Sequence, residues 1–234
     1  MFEFLRALGT YKDQDIERMN LRHRYIVEAN KSDIDGASVL DLASHDGRWA
    51  YAFAKAGARD VVGIEGRSEL VDSFSLFPDD DARKRVDLRQ GDIYEGMESL
   101  LSEGKTFDIV SILGIFYHVM DHYRLLKLAN GFQPKKIIID SEFWLANWPM
   151  VALMRESTGK NLNTTAHVIG QSVAPVGYPS RPALELMADT LGYQVSWSQW
   201  ENIPREGRGP VFDYFRPEKY RRFTCTLTSR KAFA

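Results

Sequence analysis

The chain has 234 residues, of which 44% are hydrophobic and 26% charged, a balance that excludes a disordered chain and allows a large core without metals or disulfides. Its one cysteine, Cys225, excludes an intrachain disulfide and a cysteine-based zinc cluster, and a net charge of -2 excludes a broad electrostatic footprint for nucleic acid. No apolar run approaches the roughly 20 residues needed to cross a bilayer. Glu3 and Arg6 interrupt the apolar start, so no signal peptide is expected and the cytoplasm is the expected location.

In chain order, residues 1–35 read as a helical cap. Val39 to Ala43 reads as a first strand after the turn-like Asp35-Gly36, and Gly47 to Ala56 as a helix closed by Gly57. Val61 to Ile64 is a second strand, followed by a helix over Ser68 to Phe77 with Ser68 as its expected N-cap. Val86 to Gln90 is a weaker third strand. Phe107 to Leu113 is a strong fourth, and Asp121 to Asn130 the helix after it. Lys136 to Asp140 is the fifth strand, with three consecutive isoleucines. Such unbroken apolar runs suit strands covered on both faces. The pattern then loosens over residues 142–179, with a helix expected around Met150 to Glu156. It resumes with a helix at Arg181 to Leu191 and two alternating strands near Tyr193 to Trp200 and Arg221 to Thr228. Strands alternating with helices predict an α/β fold with a mainly parallel sheet.

Three acidic positions fall at strand ends. Asp41 opens the tight turn Asp41-Leu42-Ala43-Ser44-His45-Asp46-Gly47, a strand-turn-helix passage that makes a nucleotide crevice with free helix N–H groups. Glu65, 24 residues later, can accept hydrogen bonds from both hydroxyls of a ribose. Asp92, with Ile93, follows the third strand and can reach an adenine amino group. At these residues the chain resembles the class I S-adenosylmethionine-dependent methyltransferases. The register of the family's glycine-rich loop falls on Asp41, Ala43, His45 and Gly47, its ribose acid on Glu65 and its adenine-side acid on Asp92 with Ile93. The resemblance covers Asp33 to Ser141 well and Arg181 to Ser229 by pattern. It implies a Rossmann-like, seven-stranded sheet with helices on both faces, a last strand that is antiparallel, and S-adenosyl-L-methionine as cofactor. Ala43 and His45 depart from the family's glycines. Alanine is a mild change if φ is negative, and histidine tolerates positive φ. No G-x-G-x-x-G is present, which counts against a nicotinamide-dependent oxidoreductase.

Gly114-Ile115-Phe116-Tyr117-His118-Val119 looks like a segment of certain tRNA wobble-uridine modifying enzymes and of many small-molecule methyltransferases. His118 is therefore the first candidate for a general base, and His167, in the expected lid over residues 142–179, the second. The alternative reading of His118 is a helix-capping or packing residue. His118 and His122 lack a third ligand, so no metal is expected. Asp140 and Glu142 flank the exit of the fifth strand. Aromatic residues such as Trp144, Trp148, Tyr178, Trp200 and Tyr214 suggest a pocket for a ring or sugar. From Glu201 to Ala234 there are eight Lys/Arg and four Asp/Glu, which keeps RNA open as an acceptor. The expected function is methyl transfer to a small-molecule acceptor at oxygen. The alternatives are a tRNA-modifying methyltransferase-like enzyme and a non-catalytic Rossmann-like binding protein.

Overall fold

The computed structural model describes residues 1–9, 11–160, 162–166 and 168–230. After a 3-10 turn at Glu3–Arg6, the N-terminal segment forms α1 (Asp13–Ile26) and the short α2 (Lys31–Ile34). Then come β1 (Ser38–Leu42), α3 (Arg48–Lys55), β2 (Asp60–Glu65), α4 (Ser68–Ser73), α5 (Asp80–Arg83), β3 (Val86–Gln90), α6 (Ile93–Ser102), β4 (Ile109–Leu113), α7 (His122–Gly131) and β5 (Lys136–Trp144). The hairpin strands β6 (Val151–Ser157) and β7 (Val173–Pro179) precede α8 (Arg181–Thr190), β8 (Tyr193–Trp197) and β9 (Tyr220–Ser229).

Seven strands form one sheet in the order β3-β2-β1-β4-β5-β9-β8. The first five in this order are parallel, and β9 runs antiparallel to both neighbours. This is the expected Rossmann-like sheet with an antiparallel last strand. Strand side chains alternate between two cores. Val39 and Ile138 pack with α1 and α3 on one face, whereas Leu40, Leu42, Ile137 and Ile139 pack with α6, α7 and α8 on the other. Strand order reverses between β1 and β4, and the carboxyl ends there open a crevice, the usual ligand position in such sheets.

The helix expected around Met150 to Glu156 is a strand instead. Val151 to Ser157 pairs antiparallel with Val173 to Pro179 as a separate two-stranded sheet. Ala152, Leu153, Met154, Arg155 and Glu156 all favour helix locally, but β7 carries Pro175 and Pro179, cannot be helical, and recruits β6 as its partner. Most side chains of β6 are exposed, so no period-2 pattern announces it. The α6 helix was not expected; Asp92 caps it, with Glu95 three residues on. Ser68 is the first helical residue rather than the cap, and Arg67 holds the N-cap position.

Ser180 joins the hairpin to the main sheet. Fully buried at the N-cap of α8, its Oγ accepts from the N–H groups of Ala183 and Met150 and donates to the carbonyl of Trp148 at 2.8 Å. Ser180→Ala should cost about 1–3 kcal/mol, because a cap is lost and two buried backbone groups lose a partner. Urea denaturation of both proteins checks this, with an unchanged midpoint as the contrary result.

Candidate functional site

The crevice holds a cavity of about 650 Å³, a size that suits a small organic ligand. The loop after β1 forms one wall, through Ala43, Ser44, His45 and Asp46, and Glu65 and Arg67 follow from the end of β2. The segment after β4 contributes Gly114, Ile115, Tyr117 and His118, and α1 contributes Arg18 and Arg22. Of the expected site residues, Ala43, His45, Glu65 and His118 therefore meet in one cavity. Asp92 and Ile93 do not line it. They sit one strand further along, where the N–H of Gly91 donates to the carbonyl of Glu65 at 2.9 Å.

The loop conformation corrects one expectation. Ala43 has φ 54°, so alanine here stands in the left-handed region and not at negative φ. His45 has φ 55° and Gly47 φ 78°. A Cβ on Gly47 would also meet Leu88 and Phe74 at 2.6 Å, so glycine is required there both by conformation and by space. Glu65 pins the strained loop. Its Oε2 accepts from the N–H of His45 at 2.9 Å and its Oε1 from the N–H of Arg67 at 3.0 Å. A carboxylate has about four acceptor sites, so each oxygen keeps one free for a ligand hydroxyl. His45 Nδ1 lies 2.6 Å from Arg48 Nη2, and since guanidinium only donates, Nδ1 accepts. Tyr11 and Arg48 close round Asp46 beside it, with Tyr11 donating to Asp46 at 2.5 Å.

Asp41 lies one step deeper. It is 1% exposed; its Oδ1 accepts from Ser111 at 2.5 Å, and its Oδ2 is buried without a partner among the described residues. Burial pushes its carboxyl up to about 7, against the pull of the Ser111 and Ser44 hydroxyls and with help from the nearby charge of Glu65. Asp92 is exposed, and its Oδ1 is used on the N–H groups of Tyr94 and Glu95 at the start of α6.

On the β4 side, His118 is buried and its Nδ1 lies 2.6 Å from Oε2 of Glu156 on β6. An ionised carboxylate can only accept, so Nδ1 carries the proton and Nε2 is left as the basic nitrogen. The N–H of Thr164 donates to the same Glu156 oxygen. Sequence reasoning had no signal for Glu156, which reaches His118 only through the β6–β7 hairpin. His122 turns the other way, its Nε2 2.9 Å from the carbonyl of Gly177, so the two histidines do not converge. His167 lies outside the described residues.

The aromatic wall is not the expected one. Trp148 is 63% exposed, Trp200 stacks on Tyr214 in a separate cluster, and the rings that line the cavity are Tyr11, Trp49 and Tyr117. Asp140 is an ion-pair centre rather than a cap. Arg22 Nη2 and Arg222 Nη1 reach its Oδ1 at 2.8 and 2.9 Å, and Tyr214 and Thr224 donate to its Oδ2. Burial alone would raise its pKa, but the two arginines and these hydroxyls hold it well below the usual carboxylate range.

No family model matches the chain. A tRNA U34 carboxymethyltransferase of Campylobacter hominis is 27% identical over 128 residues, which is 54% of this chain and 40% of that protein. The chain thus spans well under half the length of this curated relative. The N-terminal domain of EvdMO1, solved in the presence of SAH and D-fucose, superposes with a TM-score of 0.66 at 18% identity, over 94% of this chain and 84% of that one. The fold is that of the S-adenosylmethionine-dependent methyltransferases. A methyltransferase structure from Listeria monocytogenes gives 0.62 at 15% identity over 93% and 99%, and the glycopeptide N-methyltransferase MtfA 0.53 at 15% over 94% and 96%.

The buried Asp41 gives this methyltransferase fold a pH dependence. Its folded pKa stands above its unfolded value of about 3.9, so the folded state favours the protonated form. The stability this contributes is complete below pH of about 4 and is lost as pH rises through about 7. The cofactor-free protein should therefore lose stability between pH 5 and pH 8 by this route, and Asp41→Asn should lose less. Chemical denaturation of both proteins at the two pH values checks it; parallel losses would contradict the assignment.

Proposed function

We propose that the chain is an S-adenosylmethionine-dependent methyltransferase that acts on oxygen of a small-molecule acceptor. The observation that carries this reading is the continuity of one cavity from the Glu65 carboxylate to the Glu156-oriented His118. The residues fit the cofactor. Glu65 keeps acceptor sites for ribose hydroxyls, and Asp41 Oδ2 is buried with no hydrogen-bond partner among the described residues. We assign the adenine edge to Asp92 through its Oδ2, with Ile93 beside it.

When bound, with Glu65 on its ribose, the cofactor would supply an electrophilic sulfonium methyl for the acceptor oxygen, leaving S-adenosylhomocysteine as the second product. His118 Nε2 takes the proton released by the acceptor hydroxyl, while Glu156 holds the Nδ1 proton and stabilises the resulting imidazolium. Gly114, Ile115 and Tyr117 shape the acceptor side, and the 142–179 segment acts as a wall or lid that excludes water. The altered loop glycines do not argue for a non-catalytic protein, because Ala43 and His45 adopt the glycine-like conformation.

The curated relative's tRNA substrate favours a second reading, an RNA acceptor. Against it, three of the eight basic residues of the C-terminal segment are tied to partners within the protein, although Arg205, Lys219 and Arg230 stay exposed. Arg222 pairs with Asp140 and Asp213, Arg216 with Glu142, and Arg208 donates to the carbonyl of Ile203. A small acceptor is the better fit.

S-adenosylhomocysteine should bind and, at 100 times its dissociation constant, stabilise the fold by about 2.7 kcal/mol. Glu65→Ala should weaken that binding by about 10-fold or more, whereas Glu98→Ala, on the exposed side of α6, should not. Glu69 is no clean control, since it stands on the cavity rim. Calorimetry of the three proteins decides, and equal affinities would remove Glu65 from the ribose.

His118→Asn should lower turnover by roughly 100-fold or more while the S-adenosylhomocysteine affinity stays within about twofold. The competing reading, a packing histidine, gives a lower melting temperature with near-normal turnover. Methyl-transfer assays over fractionated metabolite pools, with melting and titration on the same variant, separate the two.

A further inference from the structure

The ion pairs at the closed end of the cavity do not balance. Arg18, Arg22 and Arg222 line it, and the acidic partners behind them are Asp140 and Asp213. Three guanidinium groups thus face two carboxylates. Arg22 is 12% and Arg222 8% exposed, so water does little to screen the excess. The polar neighbours cannot supply the missing charge. Burial raises the pKa of both Tyr117 and Tyr214, which keeps them neutral. Glu142 is paired with Arg216, Glu156 accepts from His118 and from the N–H of Thr164 and makes no hydrogen bond to any of the three arginines, and Asp15 lies on the exposed rim. One donor is also spare. Arg22 spends Nε on Tyr214 and Nη2 on Asp140, and its Nη1 makes no hydrogen bond with the described residues.

We propose that this arginine seat binds a carboxylate of the methyl acceptor. For the identity of the molecule, the proposal rests on the methyl-transfer reading above; the seat itself does not. A carboxylate carries the single negative charge that the cluster lacks, whereas a phosphate monoester, at about -1.5 to -2 near neutral pH, overshoots it. The seat also lies beside the chemistry. Arg222 Nη2 donates to the hydroxyl of Tyr117 at 3.3 Å, and the Tyr117 ring lies 3.9 Å, centroid to centroid, from that of His118. A carboxylate on Arg22 leaves the rest of the acceptor to run along Tyr117 towards His118. Trp49, under the Arg22 guanidinium at 5.1 Å, gives a second flat wall. The substrate class is therefore a small hydroxy-carboxylic acid with a flat or ring-bearing body, anchored by its acid and methylated on its hydroxyl.

The test titrates benzoate, benzyl alcohol and phenyl phosphate into the wild-type, Arg22→Gln and Arg22→Lys proteins, with and without S-adenosylhomocysteine. Benzoate should bind the wild type at least about 10-fold more tightly than benzyl alcohol, and more tightly than phenyl phosphate. Arg22→Gln should lose benzoate by about 10-fold or more with less than about a twofold change in S-adenosylhomocysteine affinity, and Arg22→Lys should fall between. Arg22→Gln leaves two arginines against two aspartates, so its fold should survive; Arg22→Lys keeps the charge and tests the fork if it does not. Benzoate no tighter than benzyl alcohol, or phenyl phosphate tighter than benzoate, overturns the proposal. So does an Arg22→Gln protein that loses S-adenosylhomocysteine as much as benzoate, since the seat would then hold the cofactor's own carboxylate. Wild-type protein that binds benzoate but not S-adenosylhomocysteine would uphold the seat and sink the methyl-transfer reading.

Discussion

The buried carboxylate of Asp140 organises one end of the cavity. It sits in the middle of β5 with no exposed surface, and its four partners come from α1, from the turn at Gly209–Tyr214 and from β9. Thr224 is its direct neighbour across the β5–β9 pairing, so the sheet register alone delivers one donor. Arg22 must be brought from a segment 118 residues away. Arg18 repeats the tie, donating to both carboxylate oxygens of Asp213 at 2.5 and 2.6 Å. A buried charge stripped of its partners costs about 3–5 kcal/mol, so the N-terminal and C-terminal segments are held together over the crevice. The closed end of the cavity exists because this acid has to be neutralised.

The loop after β1 meets a second constraint, backbone strain. Ala43 and His45 both occupy a region that costs non-glycine residues about 1–3 kcal/mol each. The surroundings over-determine the turn. Ser44 N–H donates to the carbonyl of Ile64, Ser44 Oγ to that of Asp41, and Gly47 N–H to that of Ser44. Glu65 adds the fourth bond, to His45. Glu65 is thus a structural member of the loop, which explains how alanine and histidine at two of its positions hold a glycine-like conformation.

Most of the fold was legible in the sequence because its strands are apolar on both faces. Ile137, Ile138 and Ile139 announce a covered parallel strand whatever surrounds them. The three acids were legible for a related reason: their places follow from strand ends, which periodicity locates. What was not legible depends on contacts between distant segments. Glu156 looks like any surface glutamate on a helix-favouring stretch until β7 makes that stretch a strand and turns the side chain onto His118. The aromatic lining was misjudged because density of rings in sequence does not say which core they enter. Trp200 and Tyr214 stack on each other, while Tyr11 and Trp49, from the cap and α3, reach the cavity. Asp92 carries a capping pattern with Glu95 that is readable in the sequence, and its Oδ1 is used at the start of α6.

The hairpin matters more than its marginal position suggests. Five of the seven residues of β6, Val151, Leu153, Met154, Arg155 and Ser157, are exposed, which leaves the rigidity of this strand to polar ties. Those ties run to both halves of the site. Glu156 holds His118, the N–H of Gly177 donates to the carbonyl of Val119, and the carbonyl of Gly177 meets His122. Past the hairpin tip, Arg67, two residues from Glu65, donates to the carbonyl of Asn163 at 2.8 Å. One inserted segment therefore touches Arg67, beside Glu65, and His118 together. Elements with few buried apolar contacts open at the lowest free energy. On that ground β6 is the looser strand of the hairpin, while Ala174, Val176 and Tyr178 of β7 are buried, so the Nδ1 partner of His118 sits on the strand held least by apolar contact.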